Sequence, residues 1–198
     1  MSADDGLLLG EDGRSRCAWS GVDPEYRRYH DEEWGVPLHG DRPLFEKICL
    51  EGFQSGLSWI TILRKRPRFR EVFLGFELES VAAMDDEDVD RLMDDSGIIR
   101  NRAKILATIG NARAALALRE RDGDGALDRL IWSFEEAPRI ERVVRPHDVP
   151  ASTPASLQLS KTLRSAGFRF VGPTTMYALL QSSGVVDDHL AGCFRARA

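Results

Sequence analysis

Residues 163–180 read LRSAGFRFVGPTTMYALL, and the fold turns on how they are read. A helical segment reaches Gly167, a residue type that ends helices because it accepts a left-handed backbone. A tight apolar turn follows. Gly172 then lets the backbone approach another group closely, and Pro173 suits the first position of a new helix. The expectation is helix, turn, helix. Exposed N–H groups at the second helix start favour an anion, and a phosphate fits. Any helical hairpin needs glycine, so this stretch alone does not settle that binding.

Away from the hairpin, the chain keeps reading as helices. VDPEYRRYHDEEW offers Asp23 as N-cap and Pro24 at the first helical position. DRPLFEKICLEGFQSG repeats the device, with Asp41 or Arg42 before Pro43. Its Leu44, Phe45, Ile48, Cys49 and Gly52 share a face. LSWITILRKR has Ser58 as a cap, and Pro67 is expected to break that helix or start the next. DDEDVDRLMDDSG is a short helix expected to end at Gly97. NRAKILATIGNARAALAL is the clearest helix, with Ile105, Ile109, Ala112 and Leu116 at buried-stripe spacing. GALDRLIWSF and TPASLQLSKTLRSAG add two more, the second with Thr153 before Pro154. Only RIERVVRP looks extended. The sequence predicts one all-α domain over residues 16–198, after a flexible N-terminal tail over 1–15.

Composition excludes little. The 198 residues carry a formal net charge of −5, which gives no global case for nucleic-acid binding. Distribution matters more than the sum. LRKRPRFR puts five cations between Arg64 and Arg70, and RNRAK follows at 100–104, so a basic face on an acidic chain is one expectation. Two solvated surfaces are the other. No stretch approaches the roughly 18 apolar residues of a membrane span, and the N-terminus lacks the cations of a signal peptide. Cys17, Cys49 and Cys193 are far apart and odd in number. That is no disulfide framework, and it points to a reducing cytoplasm.

Near the C-terminus, VVDDHLAGCFRARA places His189 and Cys193 four residues apart. A neutral imidazole and a thiolate at that spacing can share one zinc ion, which needs two further ligands. Cys49 sits on an apolar helix face and reads as core. Cys17 fits no apolar pattern and precedes His30 by thirteen positions. His39 and His147 have no partner nearby in sequence. Cys17, His30, His189 and Cys193 would thus join the first ordered residues to the last. The alternative is a loose tail and ordinary histidines.

The runs CAWSGVDPEYRRYHDEEWGVP, LFEKICLEGFQSGLSWITIL, SGIIRNRAKI and FRFVGPTTMY…VDDH…C, in that order from about Arg16 to Cys193, resemble the DNA-3-methyladenine glycosylase I family. The resemblance implies a single helical domain of the helix-hairpin-helix glycosylase type, with one structural zinc joining the two ends. Its zinc ligands fall on Cys17, His30, His189 and Cys193. The implied reaction is hydrolysis of the N-glycosidic bond of 3-methyladenine in double-stranded DNA, with base flipping and an abasic site left behind. The partner is alkylated duplex DNA, with no membrane, and the protein is expected to act as a monomer. Residues matching Tyr29 and Trp59 stack on the base, Trp34 lines the pocket, and Glu51 reads the base edge. By composition alone these aromatics would be core. Helical spacing does not separate Glu51 from Glu46; the motif does. Backbone groups of Val171, Gly172, Thr174 and Thr175 are expected to hold a DNA phosphate, with Lys161, Arg164 or Arg169 nearby.

A carboxylate suits this substrate. The 3-methylated nucleoside is cationic and carries an amino group, and Glu51 accepts from it more strongly in a dry pocket than in water. Departure yields a neutral base, so strong acid catalysis is unnecessary. Asp187 and Asp188 read as partners of the zinc histidine rather than as a catalytic pair. The residue filling the gap left by a flipped base is expected in the GFQSGLSW turn. Two rival classes are a non-catalytic, zinc-stabilised DNA-binding module and a zinc hydrolase. The second sits poorly with four protein ligands, because catalytic zinc keeps an open position.

Overall fold

The computed structural model describes residues 6–135 and 142–196. Helix α1 spans Pro24–Glu32, and the Asp23 carboxylate accepts from the Glu25 and Tyr26 amides at its start. Helix α2, Asp41–Gln54, runs through the middle and packs against α3 (Trp59–Val72), α6 (Arg102–Asp122), α7 (Ala126–Trp132) and α9 (Pro173–Ser182). Leu44, Phe45, Ile48 and Leu50 of α2 are fully enclosed there. Two short helices, α4 (Leu78–Ala82) and α5 (Asp86–Asp94), lie against α6, and α8 (Pro154–Ser165) packs along α9. Among the described residues no helix is long and apolar enough to cross a membrane.

Several boundaries differ from expectation, each for a local reason. The cap of α2 is Gly40, not Asp41 or Arg42. Its φ of +96° suits glycine, and its N–H donates to Asp128 at 2.8 Å. Pro43 then lies in the first turn, where a missing N–H costs nothing. Pro67 neither breaks α3 nor starts a new helix. An interior proline costs about 3 kcal/mol. Ile62, Leu63, Phe69 and Val72 on the same helix are buried, at roughly 1.5–3 kcal/mol each, and outweigh it. Helix α5 stops at Asp94, before Gly97, whose N–H donates to the Asp95 carboxylate at 2.7 Å. Ser58 stands at the N-cap of α3, but its hydroxyl bonds Thr61 Oγ1 rather than a backbone amide.

The ends of the chain carry the main surprise. Within the segment expected as a tail, β1 (Leu7–Leu9) pairs antiparallel with β2 (Ser15–Cys17), Leu7 opposite Cys17. Gly6 accepts from the Ala18 amide at 2.7 Å, and a Cβ there would fall 2.4 Å from Pro146. The C-terminal segment is stitched on beside it, with Phe194 N donating to Ser15 O at 2.9 Å. Three-residue strands have too little pattern to be read from sequence; tertiary contacts hold them. RIERVVRP is partly outside the described residues. Its remainder forms no strand, although Val143 accepts from the Ala191 amide at 2.8 Å.

Candidate active site and terminal Cys/His cluster

Helix α2 turns Lys47 and Glu51, one turn apart, toward the C-terminal half of α1 and the start of α3. A cavity of about 320 Å³ opens there. Tyr29, Trp34, Glu51 and Trp59, all singled out from the sequence, line it together. Tyr29 and Trp59 stand 5.5 Å apart between ring centroids, inclined at 45°. Trp59 is buried, and its indole N–H has no acceptor among the described residues.

Glu51 is only 3% exposed, and its Oε1 accepts from the Ser182 hydroxyl of α9 at 3.1 Å. Burial pushes its pKa up to about 7, against the opposing pull of Lys47 and Ser182. Lys47 is 7% exposed and donates to the Tyr29 hydroxyl at 3.0 Å. Burial pulls its pKa down to about 8, with Glu51 acting the other way. Its ammonium also lies 4.9 Å from the Tyr29 ring centroid and 5.2 Å from that of Trp59. Neighbouring Glu33 is desolvated, yet a bidentate pair with Arg66 holds it down at about 2. Lys47, Ser182 and the lining residue Trp19 went unread in the sequence. Lys47 had a signal, since it shares the stripe of Leu44, Ile48 and Glu51.

Beside the cavity lies a second buried polar cluster. Ligand atoms of Cys17, His30 and Cys193 all lie within 4.8 Å of one another. His189 falls just outside that set, its ring centroid 5.0 Å from that of His30. The Asp31 carboxylate takes His30 Nδ1 at 2.8 Å and is itself gripped by the buried Arg16 guanidinium. This leaves Nε2 directed at Cys193 Sγ, 3.4 Å away. The hydrogen bond from Cys17, with help from His30, draws the Cys193 thiol well down against desolvation, while Cys17 is pushed up by the same contact and by burial.

Three observations fit this set to a metal ion. Two thiols and two imidazoles are a zinc donor set. Both His189 ring nitrogens are buried without a hydrogen bond among the described residues, and burial lowers its pKa to about 4, keeping the ring neutral. Gly35 makes a cradle for that ring, since a Cβ there would fall 2.9 Å from His189 Cε1.

The two aspartates separate. Asp187 lies by the histidine, accepting from the His189 amide at 3.2 Å and pairing with Arg142 at 2.9 Å. Asp188 turns the other way and lines the cavity, held by Tyr177 Oη and by Gln181 Nε2 at 2.8 Å.

The α8–α9 turn forms as expected. Phe170 takes a positive φ of 57°. Asn111 fixes the preceding residue, accepting from Arg169 N at 2.7 Å and donating to Arg169 O at 3.1 Å. Gly52 of α2 lies beneath, where a Cβ would sit 3.3 Å from Phe170 Cβ. Gly172 caps α9 and Pro173 begins it. Lys161, Arg164 and Arg169 are exposed around this turn, and no carboxylate pairs with them among the described residues. The α3 run behaves differently. Arg64 pairs with Asp23, Arg66 with Glu33, Arg68 with Asp95 and Glu71, and Arg70 with Glu46, while Lys65 bonds the Ser96 carbonyl. The arginines of the basic run at 64–70 are thus paired with acids, Glu71 from α3 itself and the rest from elsewhere in the chain.

A helical chain with an aromatic, carboxylate-bearing cavity belongs to a recognisable class: the chain is a member of the methyladenine glycosylase family, whose sequence profile matches residues 19–196. It is 50% identical over 179 residues to DNA-3-methyladenine glycosylase 1 of Escherichia coli K12, covering 90% of this chain and 95% of that one. It is 48% identical over 180 residues to the DNA-3-methyladenine glycosylase of Haemophilus influenzae, covering 90% and 96%. A crystal structure of 3-methyladenine DNA glycosylase I superposes with a TM-score of 0.87 at 49% identity, covering 92% of this chain and all of that one. Another, a Tyr-to-Phe variant of such an enzyme in complex with 3-methyladenine, gives 0.86 at 35% identity, covering 92% and 98%.

Proposed function

We propose that this protein is a repair glycosylase that hydrolyses the N-glycosidic bond of 3-methyladenine in double-stranded DNA. The observation that carries the reading is the buried Glu51 carboxylate in a cavity lined by Tyr29, Trp59 and Trp34. A base inside a duplex must leave the stack to reach such a cavity. Tyr29 and Trp59 stack on the flipped base, and Glu51 accepts from its amino group. Water adds to the sugar carbon, the base departs neutral with the bonding electrons, and an abasic site remains. The helix-hairpin-helix formed by α8 and α9 holds a backbone phosphate at Val171, Gly172, Thr174 and Thr175. The uncompensated cations around it support that placement, since phosphate contacts position a duplex without reading sequence. A non-catalytic binding module would gain nothing from a buried carboxylate, which is costly unless used.

One zinc ion, held by Cys17, His30, His189 and Cys193, supplies structure: it ties the first ordered residues to the last and takes no part in the chemistry. The orphaned His189 nitrogens and the Gly35 cradle support this assignment. The catalytic unit acts as a monomer in the cytoplasm, where three cysteines without a disulfide are at home, and it takes in the β1–β2 pair, so it begins before residue 16.

The test is chromatography of bases released from DNA treated with a methylating agent. Free 3-methyladenine should appear, with little 7-methylguanine. The guanine edge faces Glu51 with a carbonyl, and each unpaired buried acceptor costs about 1–3 kcal/mol. No release of 3-methyladenine above a no-enzyme control removes the glycosylase reading, and comparable release of 7-methylguanine removes the proposed role of Glu51.

A further inference from the structure

A lysine ammonium under the rings of a base pocket needs a reason, because burying that charge is costly. Lys47 Nζ lies 3.0 Å from the Tyr29 hydroxyl, to which it donates, and the residue shares a helix face with Glu51 one turn on. We propose that Lys47 is a positioning residue of the base-reading site: its ammonium fixes the direction of the Tyr29 hydroxyl proton and serves as the resting counter-ion of Glu51. This rests on the glycosylase reading above.

The hydrogen-bond argument is one of direction. An ammonium has three donors and no acceptor, so the Tyr29 oxygen must accept from it. The phenol's own hydrogen then points away from Lys47 and is free to meet a base in the cavity that Tyr29 lines. Ser182 in turn donates to Glu51 Oε1 at 3.1 Å. Two bonds are thus in place, Lys47 to Tyr29 and Ser182 to the carboxylate. With Lys47 replaced by an apolar residue, the Tyr29 hydroxyl regains freedom to point either way.

The charge argument concerns the resting site. Around Lys47 stand Tyr29 of α1, Glu33 just after that helix, Glu46 and Glu51 of α2, and Arg66 of α3. Asp188 lines the same cavity from beyond α9. Glu33 and Arg66 close on each other, and Glu46 pairs with Arg70. Asp188 is held by Tyr177 and Gln181. Among the described residues Lys47 is therefore the cation left to balance Glu51. A lone carboxylate in a dry pocket neutralises by taking up a proton, and a protonated Glu51 no longer accepts from both sides.

The experiment is single-turnover release of 3-methyladenine from methylated duplex DNA as a function of pH, for the unaltered protein, Lys47→Met and Lys47→Gln. Thermal melting verifies that each variant is folded. In both variants the acid-side midpoint should move up by about 1 pH unit or more. Lys47→Gln, which keeps a donor for Tyr29, should retain more of the high-pH rate than Lys47→Met. Folded variants with the midpoint of the unaltered protein overturn the proposal. An unaltered protein that releases no base overturns the glycosylase reading instead. A second measurement survives even if the Lys47 variants do not fold. The titration of Lys47 is followed by ¹³C NMR at Cε in the unaltered protein and in Glu51→Gln. Coupling is reciprocal, so the Lys47 midpoint must fall when Glu51 loses its charge; equal midpoints overturn the pairing.

Discussion

Two buried polar clusters lie side by side, and they differ in completeness. Around the cavity, Lys47 donates to Tyr29 and Ser182 to Glu51, and only the Trp59 indole N–H is left without an acceptor on the stacking face among the described residues. In the terminal cluster, His189 keeps two orphaned ring nitrogens, and two thiols are crowded together within reach of His30. The first is largely set before any ligand arrives; the second is a donor set that the proposed ion would complete. Completeness thus separates a site that waits for substrate from one that belongs to the folded state.

Removing the ion tests this contrast most severely. Cys17→Ser, or exhaustive chelation, should destabilise the chain by about 4 kcal/mol, the scale of losing a structural metal. At roughly 2–4 °C per kcal/mol the melting midpoint falls by about 8–16 °C. Glu51→Gln should move it less, because Lys47 can shed its proton when its partner charge is lost. If calorimetry gives both variants similar midpoints, the clusters do not differ as stated, and metal analysis finding no zinc denies the ion outright.

Activity probes the other cluster. Glu51→Gln should lower 3-methyladenine release about ten- to a hundredfold, from the roughly 1.5–3 kcal/mol of a hydrogen bond to a charged group. Folded Glu51→Gln with unchanged single-turnover rates would take the carboxylate out of the site. For the unaltered protein, burial places Glu51 at about 7 and the acceptor is its ionised form. Release should therefore be full above that value and decline as pH falls through it. A rate independent of pH across this range contradicts the role.

Surface cations should matter least. Arg164→Ala or Arg169→Ala should weaken binding to any duplex and flatten its salt dependence by about 0.9 in the logarithmic slope for each phosphate no longer neutralised. Arg68→Ala, from the neutralised α3 run, should leave the slope unchanged. Equal slopes for the three variants would mean that both surfaces grip DNA, or neither.

The helices were legible in the sequence where capping and periodicity agree, as at Asp23–Pro24 and along α6. Sequence patterns misled where tertiary packing decides. Pro67 stays inside α3 because its neighbours are buried, and Leu7–Leu9 pair only because the C-terminal segment lies beside them. Glu51, Tyr29, Trp34 and Trp59 were legible through their motifs. Lys47 was not, since a lysine on a helix is almost always solvated and its burial depends on α1 and α3. The density of cations at 64–70 was equally misleading, because their partners come from distant positions such as Asp23 and Asp95.

The terminal cluster also orders events in time. Cys17 and Cys193 are 193 − 17 = 176 positions apart, while Cys17 and His30 are thirteen apart and His189 and Cys193 four. Closing a loop of that length carries an entropy cost of roughly 4–5 kcal/mol, growing as (3/2)RT ln n. Each half-site forms early from local chain, but the two halves meet only after the helices between them have docked. The proposed ion, needing all four ligands, would therefore be captured last, and its uptake would mark the moment when folding is finished.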